Sequence, residues 1–376
     1  MKNRIDTFVV TVFAIIACLT SAQLLAGSLN VQGNATINGD LDVVNHRITN
    51  AADPVSGQDV ATKSYVDNQS GNADRASLNP ARVALLRWYD ISLSGRTVSS
   101  GFGTHPAAIS FDGENIWVAN VGNDKLGIWR ANDGKLVNTY TFSSPCVGIS
   151  GLAYDGEYMW VSCQGANEVR LVRARDFQSF AFSNVSVQQP GAIAFDGTNM
   201  WVASHADGSV RVIDVSTGVE KFNITGTASA PVIEMAFDGT NMWATTGAAF
   251  VAVMPASNPN GPGAGFFPLS KAGAWSLAFD GTNMWITNEA EDTVTVASLD
   301  LVNLGEFNVG DQPKDLVFDG NLMWVANHEG RSVSLFRIHD LSSVGTIPLG
   351  YRPVDTVFDG VNVWITDYDG NRTIKH

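Results

Sequence analysis

After residue 82, apolar positions alternate with polar or small ones in short runs, and turn residues separate the runs. Ala192-Ile193-Ala194-Phe195 alternates as a strand does, and Met200-Trp201-Val202-Ala203 and Val210-Arg211-Val212-Ile213 follow it. A fourth strand falls around 221–224, after the turn Ser216-Thr217-Gly218. Asp196-Gly197 supplies the positive φ that a tight hairpin requires, and His205-Ala206-Asp207-Gly208 makes a longer polar loop. No stretch carries the 3.6-residue apolar period of a helix.

This unit recurs. Phe111-Asp112-Gly113-Glu114-Asn115-Ile116-Trp117 returns as Tyr154-Asp155-Gly156-Glu157-Tyr158-Met159-Trp160 and then five more times. The repeat tryptophans are Trp117, Trp160, Trp201, Trp243, Trp285, Trp324 and Trp364, spaced by 43, 41, 42, 42, 39 and 40 residues. Four strands in a period of about 40 residues make a propeller blade rather than a solenoid coil. The expected fold is therefore all-β, a seven-bladed β-propeller of four-stranded blades over 82–376. One tryptophan at a fixed place in every blade points to packing between blades.

The seventh repeat ends after its third strand, Thr373-Ile374-Lys375-His376, so its fourth must come from elsewhere. The expected donor is Val83-Ala84-Leu85-Leu86-Arg87-Trp88-Tyr89, an N-terminal strand that would close the ring and remove its open edges.

The residues before the propeller follow a different grammar. Lys2 and Arg4 precede an apolar run and small residues, which makes 1–26 a secretory signal or membrane anchor. Cleavage, a retained anchor and lipidation at Cys18 all remain open, and all place the rest outside the cytoplasm. In 28–69, Leu29, Ala35 and Leu41 recur every sixth residue, as do Val31, Ile37 and Val43. That period predicts short β rungs too small to bury a core alone, hence a stalk that assembles with copies of itself, and 70–81 then reads as a linker.

Charge narrows the partners. A net charge of −14 excludes a nucleic-acid surface, whose phosphates would be repelled. The candidate ligand-binding groups gather where inter-blade loops and second-to-third-strand loops share one face, the channel mouth. They are His105, His205, Glu234, Glu289, Asp315, His328 and Asp355, with Lys314 and Arg352 nearby. The histidines lack metal-ligand spacing and the repeat aspartates lack that of a calcium loop, so neither a metal nor another cofactor is expected. No nucleophile motif assigns a catalytic residue. Cys146 and Cys163 lie at one end of a hairpin but out of direct register, which leaves a disulfide open.

Trp117-Val118-Ala119-Asn120 and Trp324-Val325-Ala326-Asn327 resemble the core of the YVTN-type propellers of bacterial and archaeal surface and periplasmic proteins, and more distantly the NHL propellers and streptogramin lyases. Gln58-Asp59-Val60-Ala61-Thr62-Lys63-Ser64-Tyr65-Val66-Asp67 resembles the stalks of phage tail fibres, which implies a homotrimer. Two functions follow as expectations. One is an exported surface or extracellular head that binds a protein or glycan ligand. The other is an exported propeller enzyme of lyase or hydrolase type acting at the channel mouth. The stalk favours the first.

The stalk reading predicts that the exported chain from residue 28 onward is trimeric, whereas a chain starting at Arg82 is monomeric. Light scattering on the two decides it, and a monomeric longer chain would reduce 28–69 to a tether.

Overall fold

The computed structural model describes residues 104–142, 146–182, 186–225, 231–261 and 263–376, together with the backbone of Arg96–Ser100. The signal, stalk and linker expectations, and the segment 83–89, lie outside the described residues. The described chain forms seven antiparallel sheets of four strands each. Their innermost strands contact one another in sequence, and that of blade 7, Pro353–Phe358, meets that of blade 1, Pro106–Phe111. The ring therefore closes around a central axis.

Each blade is organised by one turn. In blade 3 the N–H of Asp196 donates to the carbonyl of Asn199, and Gly197 takes φ 98°. The Asp196 Oδ1 accepts the backbone N–H groups of Thr198 and Asn199 at 2.8 and 2.6 Å. Its Oδ2 accepts the Trp201 indole N–H at 2.8 Å. All seven blades repeat this clasp, with indole-to-carboxylate distances of 2.6 to 2.8 Å. The repeat aspartate is thus an acceptor for three N–H groups, which makes its burial affordable without a cation.

The same strand serves both neighbouring blades. Side chains alternate across a strand, so Trp201 points one way while Met200 and Val202 point the other. Trp201 packs with Met235, Met242 and Ala244 of blade 4, and Met200 and Val202 pack with Trp160 of blade 2. The pattern runs round the ring and ends with Trp364 of blade 7 among Ile109, Ile116 and Val118 of blade 1. All seven tryptophans are buried.

A second inter-blade tie lies in the loops between second and third strands. Asp124, Asn167, Asp292 and Asn371 occupy the left-handed region, with φ of 51° to 56°. Each carboxyl or amide oxygen accepts the N–H of a residue just before the next blade's inner strand: Gly148, Gln189, Gln312 and His105 respectively.

The closing strand is not the one expected. Blade 7 is completed by Arg96–Ser100, antiparallel to Arg372–Lys375, with Arg96 opposite Lys375 and Ser100 opposite Arg372. Connection length explains the choice. Arg96–Ser100 leaves five residues before Pro106, as many as separate Pro268 from Ala274 between blades 4 and 5. A strand ending at Tyr89 would leave sixteen, 90 to 105, far beyond the usual short connection. Apolar content was the misleading guide, because outermost strands are the exposed ones: Ser343–Pro348 has no buried residue.

The clasp gives a quantitative expectation. Asp319→Ala strands three donors around a buried turn and should cost roughly 3–5 kcal/mol in urea unfolding. Trp324→Phe removes one donor and keeps most of the packing, so about 1–2 kcal/mol is expected. A cost below about 1 kcal/mol for Asp319→Ala would show that the carboxylate does not organise the turn.

Candidate functional site

Three of the sequence-predicted residues sit on inner strands at one repeat position, three before the motif aromatic: Glu234, Asp315 and Asp355. The other blades place Ala108, Gly151, Ala192 and Ser276 there. Gly151 answers a steric need, since a Cβ on it would lie 2.8 Å from the Gly191 carbonyl oxygen of blade 3. Blades 1 to 3 therefore line the axis with small side chains, and the carboxyls all come from blades 4, 6 and 7.

Second-strand threonines support this layer. Thr245 Oγ1 accepts the Glu234 N–H at 3.2 Å, Thr287 Oγ1 that of Ser276 at 2.8 Å, and Thr366 Oγ1 that of Asp355 at 3.0 Å. The Asp315 carboxylate accepts the Ser276 hydroxyl at 2.7 Å and the Thr356 N–H and hydroxyl at 2.7 and 2.6 Å. Asp355 accepts the Ile109 N–H at 2.9 Å, and its other oxygen shares the Thr356 N–H at 2.9 Å. One N–H thus touches both carboxyls.

No Lys, Arg or His of the described residues forms an ion pair with these three carboxyls. Burial, followed by the charge of Asp315, pushes Glu234 up to about 8. Burial and then the Asp315 carboxyl in contact with it raise Asp355 well above the usual carboxylate range, with Glu234 adding to the effect. Both side chains keep some exposed surface. Both sit on inner strands packed against the neighbouring blades, a setting that hydrates a charge poorly.

Above this layer the rim is set by pairs that bridge blades. Glu289 pairs with Lys314 at 2.5 Å, and the Lys314 ammonium lies 3.5 Å from the centre of the Trp275 ring. Arg352 holds Glu329 and Asp369, each at 2.9 Å. His328 Nδ1 lies 3.0 Å from the Pro353 carbonyl oxygen. His105 packs on Tyr368 with ring centres 4.5 Å apart. His205 is exposed on blade 3, where its N–H donates to the Gln189 carbonyl. The structure thus joins Asp315 with Asp355 directly and couples Glu234 to them through charge. Glu289, His328 and His105 belong to three separate rim contacts.

Sequence reasoning passed over Trp275, Tyr368 and Asp369. The first had a signal, since Trp275 is a tryptophan outside the repeat position and directly precedes the axial layer. The other two follow the blade 7 strand Val363–Asp367 in a polar loop and carry no signal of their own.

At the edge of this face Cys146 and Cys163 form a disulfide, with Cα atoms 4.9 Å apart. Register did not forbid it, because Cys146 is not in a strand. It lies in the connection before Ile149–Tyr154, which turns at Gly148 with φ 66° and returns over the end of Tyr158–Cys163.

Comparison with protein-family models finds no match, and comparison with curated proteins finds none. The resemblance to a particular propeller family therefore rests on the repeat alone.

Both cysteines are buried, so a reductant should leave the native bridge intact and cleave it only on unfolding. With the two cysteines 17 positions apart in sequence, Cys146→Ala with Cys163→Ala should cost about 3 kcal/mol in urea unfolding. A double variant as stable as the parent would reduce the bridge to an ornament of the loop.

Proposed function

We propose that this protein is an exported binding head, a propeller of YVTN type, whose channel mouth docks a protein or glycan ligand carrying basic groups. The carrying observation is the rim: charged and aromatic side chains from blades 5, 6 and 7 are held in place by pairs that cross blade boundaries, with Asp369 of blade 7 completing the grip on Arg352. Such partly exposed pairs contribute modest stability, and they present fixed charge and an aromatic edge. Two carboxylates, Glu329 and Asp369, share the single Arg352, which leaves this part of the rim negative. The axial carboxyls beneath add to that sign, and a cationic group is the complement.

Export is supported by the signal-like 1–26 and by the buried disulfide, which belongs to oxidising compartments. Presentation on a trimeric stalk rests on the period of 28–69. Lyase or hydrolase chemistry has less support: the Pro353 carbonyl orients His328 through Nδ1, but the sequence carries no nucleophile motif to go with it.

Peptide and glycan arrays probed with the purified propeller test the reading. Retained spots should carry basic groups, weaken with salt, and be lost on Glu329→Lys with Asp369→Lys. Binding unaffected by that reversal but lost on changing exposed Val219 and Val344 of the outer strands would move the site to the outer edge.

A further inference from the structure

Asp315 and Asp355 sit where the ring is held by least chain. The inner strands of blades 6 and 7 are Pro313–Phe318 and Pro353–Phe358, and that of blade 1 is Pro106–Phe111. Blades 5, 6 and 7 follow one another in sequence. The first three strands of blade 7 instead join blade 1 only through non-covalent contacts and the closing strand Arg96–Ser100. Across exactly this arc the carboxyls form a continuous chain of hydrogen bonds: Ser276 of blade 5 to Asp315, Thr356 of blade 7 to Asp315, and Ile109 of blade 1 to Asp355.

Two carboxyls that touch and meet one N–H, with no cation beside them, cannot both be charged at modest cost. The donors show which one keeps the charge. Asp315 accepts three, two of them hydroxyls that can aim their protons at it, while Asp355 accepts two backbone N–H groups. We propose that Asp355 carries a proton in the folded protein and donates it to Asp315, and that this proton is a pH-sensitive pin between the inner strands of blades 6 and 7, next to the ring seam. The inference goes beyond the binding reading and holds whether or not the rim takes a ligand.

The surroundings carry no rescue for a second charge. Blade 4 contributes Glu234, another acid, while blades 5 and 1 contribute Ser276 and the Ile109 amide. The flanking cations are turned to other partners: Lys314 to Glu289 and Trp275, and Arg352 to Glu329 and Asp369. His328 faces the Pro353 carbonyl and Glu329.

The sign follows from linkage. The folded state keeps a proton that the unfolded chain releases above the ordinary carboxyl range, so stability falls as pH rises from there to the raised folded value. Glu234, raised in the same direction, adds to the fall, so Glu234→Gln is the right background.

The test is thermal unfolding of Glu234→Gln from about pH 5 to about pH 9, with and without Asp355→Asn. The parent should lose melting temperature with the slope of about one proton. Asp355→Asn, whose amide donates to Asp315 as the protonated acid does, should flatten that slope while keeping the fold. Asp355→Asn with an unchanged slope overturns the proposal. Should that variant not fold, the infrared carbonyl band of a protonated carboxyl in Glu234→Gln decides. It should be present near pH 7 and change frequency in Asp315→Ala, which removes the acceptor of its hydrogen bond, and its absence in Glu234→Gln overturns the proposal equally.

Discussion

The aspartate–indole clasp is the interaction on which the rest of this propeller depends. One carboxylate closes the hairpin through two backbone N–H groups and fixes the rotamer of the tryptophan five residues on. With the ring held, the alternation of the strand does the remaining work: tryptophan toward the next blade, its two neighbours toward the previous one. A single six- or seven-residue motif therefore specifies a turn, a strand and both faces of a blade interface. That economy explains why the motif tolerates Glu, Thr, Asn or Val between glycine and tryptophan but carries Asp-Gly in all seven copies.

The same logic sets what could be read without coordinates. Blade number, strand count and the buried place of the tryptophans are periodic properties, and periodicity survives in a bare sequence. The closing strand is not periodic. Arg96-Thr97-Val98-Ser99-Ser100 looks unremarkable beside Val83-Ala84-Leu85-Leu86-Arg87-Trp88-Tyr89, because an outermost strand is chosen by connection length and edge geometry rather than by apolar content. The candidate site divides similarly. The repeat position of Glu234, Asp315 and Asp355 was legible, since register along a strand puts one residue type per blade toward the axis. That Asp315 and Asp355 share Thr356, or that Trp275 lies beneath Lys314, depends on rotamers and on the approach of separate blades.

Sevenfold repetition also makes departures informative. Blades 1 to 3 keep Ala108, Gly151 and Ala192 at the axial position, where close packing of inner strands accounts for them. Blades 4, 6 and 7 put acids in the same place, although burial raises the cost of charge there. A core that merely had to be filled would use small or apolar residues all round, as half of this ring does. The acids are concentrated on the arc that ends at the junction of blades 7 and 1, and the loops above that arc carry the bridging ion pairs.

Elsewhere carboxylates pull the pH response the opposite way. Hydroxyl and backbone donors around Asp207 hold it down to about 2, and Lys221 with Ser216 holds Asp214 lower still. Those groups contribute stability above the ordinary carboxyl value that is lost as pH falls through their depressed values. Glu234 and Asp355 contribute stability at low pH that is lost as pH rises. The two sets oppose each other, one losing its contribution toward acid and the other toward alkali. They also act at different places, the first within the strand-linking turns of blade 3 and the second across blade boundaries. Acid therefore loosens individual turns, whereas alkali strains contacts between the inner strands of different blades.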